Sequence, residues 1–154
     1  MMTVNIKPNP LQILKSAKSI LLIDWPHPEV PRALLNAGFA VFGYSPNGYS
    51  MAQLVTELPP GFDEKNSFPS RNKEEKGYLI FQKLDHMPDA VDIVNVYRPD
   101  EELPGIITNR VLPAGAKVLW LHPPVTSVRG KEIASEKGIV FIEGVDIAEM
   151  ALEI

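Results

Sequence analysis

The stretch that decides the fold is VDIVNVYRPDEELPGIITNRVLPAGAKVLWLHPP, residues 91–124. Its first six residues are mostly apolar and β-branched, which is typical of a strand buried on both faces. After a break at Pro99, apolar residues recur at helical spacing between residues 103 and 111. The run KVLWL, residues 117–121, is a second buried strand. Because a helix joins the two strands, we predict that they are parallel.

The same alternation continues on both sides of this stretch. Three times a helical segment ends at a glycine, Gly38, Gly115 or Gly138, and an apolar strand follows. This pattern predicts an α/β fold, a Rossmann-like doubly wound parallel sheet of about five strands with the first strand in the centre. The predicted strands are Ile20–Ile23, Val41–Tyr44, Val91–Val96, Val118–Leu121 and Ile139–Ile142.

The alternation of helices and strands is interrupted at residues 48–77, and we predict that this stretch is an insertion. The whole chain, residues 1–154, is predicted to form a single domain. Within the insertion we predict a short helix over Met51–Leu58 and the least ordered segment over Phe62–Lys76, where charge and proline accumulate. Tyr78–Phe81 is predicted as a short strand near an edge. Two interpretations of the insertion remain open, a family-specific addition and a lid or partner contact.

Composition and charge restrict the class of function. The net charge of −4 argues against bulk binding to nucleic acid or to an anionic membrane. The absence of cysteine excludes disulfides and thiolate chemistry. No apolar run approaches the roughly 20 residues that span a bilayer, and the N-terminal sequence does not resemble a signal peptide. We therefore expect a cytoplasmic protein, and no spacing indicates a metal site.

The carboxyl ends of the strands are where a ligand is expected, because open parallel sheets bind ligands there. The tips after the two strands of the opening stretch are Tyr97-Arg98-Pro99 and His122-Pro123-Pro124. Arg98 is the best candidate for contact with a phosphate, since its guanidinium forks onto anions. The alternative is that Arg98 forms an ion pair with Asp24, Glu101 or Glu102.

The phrase VDIVNVYRPDEELPGII…AGAKVLWL resembles the second half of the small bacterial and archaeal CoA-binding proteins, which are similar to the CoA-binding domain of succinyl-CoA synthetase α-subunits. Ser45-Pro46-Asn47 likewise resembles the family's NPN-type turn. The resemblance runs from Ser19 to Glu143 apart from the insertion. It implies a non-catalytic protein that binds CoA or another adenine nucleotide. The candidate binding residues are Asp24, Trp25, His27, Ser45, Pro46, Asn47, Tyr97, Arg98, Pro99 and His122.

The departures from the family pattern concern the first loop above all. Relatives carry a glycine and small residues there, as in GASPDP, whereas this chain has DWPHPE at residues 24–29. Proline supplies no N–H group for a phosphate, and Asp24 and Glu29 place negative charge where phosphates would lie. We therefore predict weakened CoA binding. The second strand tip also departs, with His122-Pro123-Pro124 where relatives have glutamine and a glycine turn.

Two other functions remain open at this point. The chain is either a nucleotide-binding protein, or a degenerate relative that lost its ligand and serves as an interaction module. A less favoured alternative is a small enzyme in which Asp24, His27 and His122, together with Asp146, form an acid–base group. Structural roles compete with that alternative, since Asp24 and Asp146 could cap helices. Trp120 is predicted as core or interface, and with an exposed edge strand it suggests a homodimer.

Overall fold

The computed structural model describes residues 8–45, 48–62, 67–69 and 77–154. Within these ranges the chain forms one mixed eight-stranded sheet with helices on both faces. The strands are β1 (Ser19–Ile23), β2 (Ala40–Ser45), β3 (Gly48–Val55), β4 (Ser67–Pro69), β5 (Tyr78–Lys83), β6 (Ile93–Val96), β7 (Val118–Leu121) and β8 (Val140–Ile142). The α-helices are α1 (Pro10–Ser16), α2 (Glu29–Asn36), α3 (Leu103–Ile106), α4 (Val128–Glu136) and α5 (Ile147–Ala151).

The parallel half of the sheet has the order β2-β1-β6-β7-β8, and every neighbouring pair in it is parallel. This confirms the five strands predicted from the alternation, with β1 between β2 and β6. The glycines that end the helical segments also take the predicted left-handed conformation, with φ of +98° at Gly38 and +71° at both Gly115 and Gly138. All four residues of β6 are buried.

The other half of the sheet corrects the prediction of about five parallel strands. β3, β5 and β4 extend the sheet beyond β2 by antiparallel pairing, so the sheet is mixed. The short helix predicted over Met51–Leu58 is wrong, because β3 pairs on one side with β2 and on the other with β5. Long-range pairing of this kind overrides a weak local helix preference. Most of Phe62–Lys76 lies outside the described residues.

The crossover between β6 and β7 is one helical segment, residues 100–111, with three different turns. A 3₁₀ turn covers Asp100–Glu102, α3 follows, and a π turn covers Ile107–Val111. The helix predicted here is confirmed, and Pro99 stands at its cap position without a side-chain hydrogen bond. Tertiary packing of the inward face, not a cap, holds this segment.

The core consists of two apolar layers, one on each face of the sheet. Alternate residues of the central strands point to opposite faces, so Leu22 packs with α2 and α5 while Leu21 packs with the crossover segment and α4. Trp120 is fully buried, and its indole N–H donates to the Val145 carbonyl at 2.8 Å. The core interpretation of Trp120 is thus confirmed, and this residue offers no surface to a partner. In the described ranges no helix has the length and apolarity needed to cross a membrane.

Candidate functional site

Two adjoining cavities open at the carboxyl edge of the parallel strands. They have volumes of about 350 and 220 Å³, and Asp24 and Arg98 line both. We call the larger the proline cavity; its other lining residues are Tyr97, Pro99, Asp100, Pro124, Val125 and Thr126. We call the smaller the tyrosine cavity; its other lining residues are Ile23, Tyr44, Ser45, Glu102, Ile106 and Arg110. The paired side chains of Asp24 and Arg98 are therefore common to both cavities.

Asp24 begins the loop after β1 in the left-handed region, with φ of +61°. Aspartate tolerates this conformation better than most residues, because its short side chain bonds to the local backbone. Here Oδ1 accepts the N–H of Trp25 at 2.9 Å. The prediction that Asp24 caps α2 is wrong, since Pro28 stands at the cap position without a side-chain hydrogen bond.

Few backbone donors remain in this loop for a phosphate. The Asp24 N–H donates to the Tyr44 carbonyl, the Trp25 N–H to the Asp24 carboxylate and the Val30 N–H to the His27 carbonyl. The prolines at positions 26, 28 and 31 have no N–H. At most the N–H groups of His27 and Glu29 are left, so the loop cannot provide the row of donors that a diphosphate requires.

The indole of Trp25 fills the space beside this loop. It stacks on Phe81 of β5, with ring centroids 5.0 Å apart and an interplanar angle of 19°. A Cβ built on Gly43 would lie 2.8 Å from Cη2 of Trp25, so only glycine allows this approach without displacement. Trp25 also lines a third cavity of about 260 Å³, with Ser45, Tyr49 and other residues of the antiparallel half. The insertion therefore helps to build the surroundings of the loop.

Arg98 is held between two carboxylates. Nη2 donates to Glu102 Oε2 at 2.8 Å, Nε donates to the same carboxylate at 3.2 and 3.3 Å, and Nη1 donates to Asp24 Oδ2 at 3.1 Å. The hydrogen bonds that Arg98 donates to Glu102 and then to Asp24 raise its pKa above the usual value for arginine. The ion-pair alternative is therefore confirmed for Asp24 and Glu102. The three side chains together carry one net negative charge.

His122 follows β7 and is buried beneath the edge. Its Nε2 lies 3.8 Å from Asp146 Oδ2, and its ring meets the edge of Tyr97 with centroids 5.7 Å apart. Burial lowers the pKa of His122 below 6.5, and repulsion from His27 adds to this; Asp146 and Glu149 act in the opposite direction. Nδ1 has no hydrogen-bond partner among the residues that the structure describes. A neutral, enclosed imidazole follows from this environment.

The proposed acid–base group is only partly assembled. His122 and Asp146 meet, but Asp146 caps α5 by accepting the N–H groups of Ala148 and Glu149, as the structural alternative predicted. Asp24 is bound to Arg98, and His27 is exposed. The side chain of His122 is only 4% exposed. In the described ranges no three histidine, aspartate or glutamate side chains cluster in a way that could hold a metal ion.

The predicted site residues thus fall into four groups. Asp24, Tyr97, Arg98 and Pro99 share the proline cavity, and Ser45 lines the tyrosine cavity. Trp25 lies beside the loop, and His27 is exposed on it. His122 is buried below the edge. Pro46 and Asn47 lie outside the described residues.

Sequence reasoning missed Arg110, which lines the tyrosine cavity. Its Nη2 donates to the Tyr44 hydroxyl at 2.7 Å, and its Nη1 donates to the Tyr49 hydroxyl at 3.1 Å. A signal was present: counting from Leu103, position 110 falls on the same helical face as the apolar residues at 106 and 107. A cation on the inward stripe of a helix indicates a polar partner or ligand on that side.

Comparison with known proteins identifies the family and the fold of this chain. The family model described as CoA binding domain matches residues 37–145, more than half of the chain, and the match begins after the Asp24–Glu29 loop. No functionally curated protein matches the sequence.

Solved structures share the fold. The crystal structure of Prb, described as the PH1109 protein redesigned for binding, has 17% identity and a TM-score of 0.61, covering 94% of this chain and 88% of its own. Cell-free ID.343 from Thermus thermophilus has 18% identity and a TM-score of 0.61, covering 95% and 98%. A hypothetical protein from Pyrococcus horikoshii OT3 has 15% identity and a TM-score of 0.57, covering 99% and 98%. With the CoA-binding model matching residues 37–145, this chain belongs to the CoA binding domain family.

Proposed function

We propose that this protein binds CoA or a related adenine nucleotide without transforming it, over the carboxyl ends of β1, β2, β6 and β7. The observation that carries the proposal is the pair of adjoining cavities at this edge, about 350 and 220 Å³, in a chain of the CoA binding domain family. Parallel sheets bind nucleotides at this edge, and ligand pockets have volumes of this order.

The binding is weak, because the β1–α2 loop repels phosphate. Asp24 carries negative charge at the mouth of both cavities, and its carboxylate already accepts the Trp25 N–H. A like charge a few ångströms from a phosphate costs about 1–4 kcal/mol at effective dielectrics between those of water and a protein surface. That is roughly a tenfold to thousandfold loss of affinity, so we expect a dissociation constant for CoA above about 10 µM.

A second candidate function is an interaction module that has lost its ligand. The observation that favours it is that the groups of this edge already have partners within the protein. Trp25 fills the space over Gly43, and Arg98 donates its hydrogen bonds to Glu102 and Asp24. Under this alternative the edge is closed to nucleotides, and no CoA binds even at millimolar concentration.

Calorimetric titration with CoA distinguishes the two candidates. The wild type should bind weakly, and Asp24→Gly should bind about tenfold more tightly, because the substitution removes the charge and frees the Trp25 N–H. Asp89→Gly is the matched control, since it removes an exposed charge that precedes the opposite end of β6. Absence of binding by both the wild type and Asp24→Gly favours the interaction module. Sub-micromolar binding by the wild type contradicts the loop argument.

A further inference from the structure

We propose that Arg110, with the hydroxyls of Tyr44 and Tyr49, is the phosphate-binding site of this edge. Arg98 has a structural role instead, because it connects Asp24 to Glu102. The ligand is a phosphate group, either the diphosphate or the terminal phosphomonoester of CoA; only this identification of the ligand rests on the proposed function.

The three side chains form a built arrangement. The Arg110 guanidinium lies 4.1 Å from the centre of the Tyr44 ring and 5.6 Å from that of Tyr49. The two rings are 4.8 Å apart and tilted by 51°. Stacking and two hydrogen bonds to phenols hold the guanidinium in one orientation, so little of its freedom is lost when an anion binds. All three residues are half-buried.

Charge distinguishes Arg110 from the other three arginines that the structure describes. Arg32, Arg98 and Arg129 each form an ion pair with a carboxylate, whereas Arg110 has no carboxylate within ion-pair distance in the described parts of the chain. Phenols share hydrogen bonds with a guanidinium but do not neutralise it. In the tyrosine cavity Arg110 is therefore the cation that forms no direct ion pair, whereas Arg98 is bound to both Asp24 and Glu102.

The hydrogen-bonding capacity of the site suits an anion. Each phenol accepts a bond from Arg110, so each O–H is available to donate to a second acceptor. Ser45 adds a hydroxyl to the lining of the same cavity. A guanidinium and several hydroxyl donors together form the type of site that binds phosphate oxygens.

The backbone supports the assignment independently. Arg110 lies in the π turn Ile107–Val111, and π turns within helices are frequent at functional sites. The apolar neighbours of this turn, Ile107 and Val111, are fully buried, so the backbone that carries Arg110 is held rigidly against the sheet. A cation on a rigid element is placed more precisely than one on a loop.

Binding of three probes to Arg110→Gln tests the proposal: inorganic phosphate, CoA and dephospho-CoA, which lacks the terminal phosphomonoester. Calorimetry, or ligand-detected NMR for the weaker variants, should show CoA affinity reduced about tenfold to a hundredfold. Arg110→Lys should recover part of that loss, because the charge remains while the fork is lost. Arg129→Gln in exposed α4 is the matched control and should bind as the wild type does.

The probes also identify the phosphate and separate this inference from the proposed function. Loss for CoA but not dephospho-CoA assigns the phosphomonoester, and equal loss assigns the diphosphate. If the wild type binds inorganic phosphate but not CoA, and Arg110→Gln binds neither, the anion site stands and the proposed function fails. Wild-type affinity for CoA or phosphate in Arg110→Gln overturns the inference, as does a wild type that binds no phosphate.

A structural role for Arg110 gives a different result. Tyr44→Phe keeps the ring under the guanidinium but removes one hydroxyl, so the fold remains and anion binding alone should weaken about threefold to tenfold. If Arg110 only ties β2 and β3 to the crossover, Tyr44→Phe and Arg110→Lys lower the unfolding midpoint while their affinity for phosphate equals that of the wild type. That outcome overturns the proposal.

Discussion

Residues 24–31, which comprise the β1–α2 loop and the first residues of α2, and residues 98–111, which comprise the tip after β6 and the crossover segment, flank the same edge of the sheet with opposite chemistry. In the loop a carboxylate, three prolines and an indole use up or remove the groups that would meet a phosphate. In the crossover a guanidinium rests on two tyrosines without a carboxylate at ion-pair distance among the described residues. We therefore infer that the anion-binding capacity of this edge lies in the crossover segment and not in the loop after β1.

The Asp24 carboxylate explains how the loop remains stable without a ligand. Its Oδ1 accepts the N–H of Trp25, and its Oδ2 accepts a hydrogen bond from Arg98. An internal carboxylate satisfies these groups permanently, whereas a phosphate does so only when bound. Five experiments test this difference between the two regions, and their expected effects decrease from the first to the last.

Replacing Trp25 with alanine should have the largest effect, because it removes the indole that packs beside the β1–α2 loop. The stack on Phe81 and the contact over Gly43 disappear, and we expect a loss of about 2 kcal/mol in the free energy of unfolding. Urea unfolding measures the loss, and Trp25→Phe should retain more than half of the stability. A change below about 0.5 kcal/mol for Trp25→Ala would mean that the indole lies loosely on the surface.

Gly43→Ala sharpens the same test. Its added Cβ should destabilise the wild type but not the Trp25→Ala variant, because the close contact is with the indole. Equal costs in both backgrounds would locate the conflict elsewhere.

The pH dependence of stability tests whether the region under the loop is closed to water. Burial lowers the pKa of His122, so the unfolded chain binds more protons than the folded one as pH falls below about 6.5. Stability should therefore be complete above pH 6.5 and decrease below it, by up to about 1.4 kcal/mol per pH unit. The decrease should vanish in His122→Gln and persist in His27→Gln. Identical profiles for the wild type and His122→Gln would show a solvated imidazole.

Asp24→Asn and Asp24→Gly separate charge from backbone donors. Both residues accept the left-handed conformation, but asparagine keeps an acceptor for the Trp25 N–H and glycine releases it. We expect CoA affinity to rise about threefold for Asp24→Asn and about tenfold for Asp24→Gly, measured by calorimetry. Equal gains would mean that the charge of Asp24 alone weakens CoA binding. No gain in either variant would mean that the shape of the cavity weakens it.

Glu102→Gln should have the smallest effect. The Arg98–Glu102 pair is partly exposed, with side chains 38% and 44% accessible, so solvent screens it. Glu102→Gln removes one of the two carboxylates that bind Arg98, so the edge becomes less negative. CoA affinity should rise by no more than about threefold at low salt, and the gain should disappear at roughly 0.5 M salt. A tenfold gain at either ionic strength would make Arg98, and not Arg110, the dominant cation.

Local patterns predicted the parallel half of the sheet well and the antiparallel half poorly. β6, β7 and their crossover follow from apolar runs and glycine stops that are legible within about thirty residues. Local sequence predicts a helix over Met51–Leu58, but its first five residues belong to β3. Its conformation depends on pairing with β2 and with β5, residues 78–83, and such pairing leaves no local signal.

The candidate site likewise combines features that the sequence determined with features that only the fold decided. The sequence alone determined that Asp24, Tyr97, Arg98 and Pro99 follow strands β1 and β6, and parallel strands necessarily bring such tips to one edge. It also determined that prolines remove donors from the loop, because this is a covalent property.

Only the tertiary structure decided which charges neutralise each other. Arg98 had three candidate carboxylates within reach, and the fold selected Glu102 and Asp24, the latter 74 positions away along the chain. The same fold brought Tyr44 and Tyr49 from one hairpin under Arg110 from the crossover. Composition records how many charges a chain carries, but electrostatic interactions depend on distance and burial, which arise only when distant segments pack together.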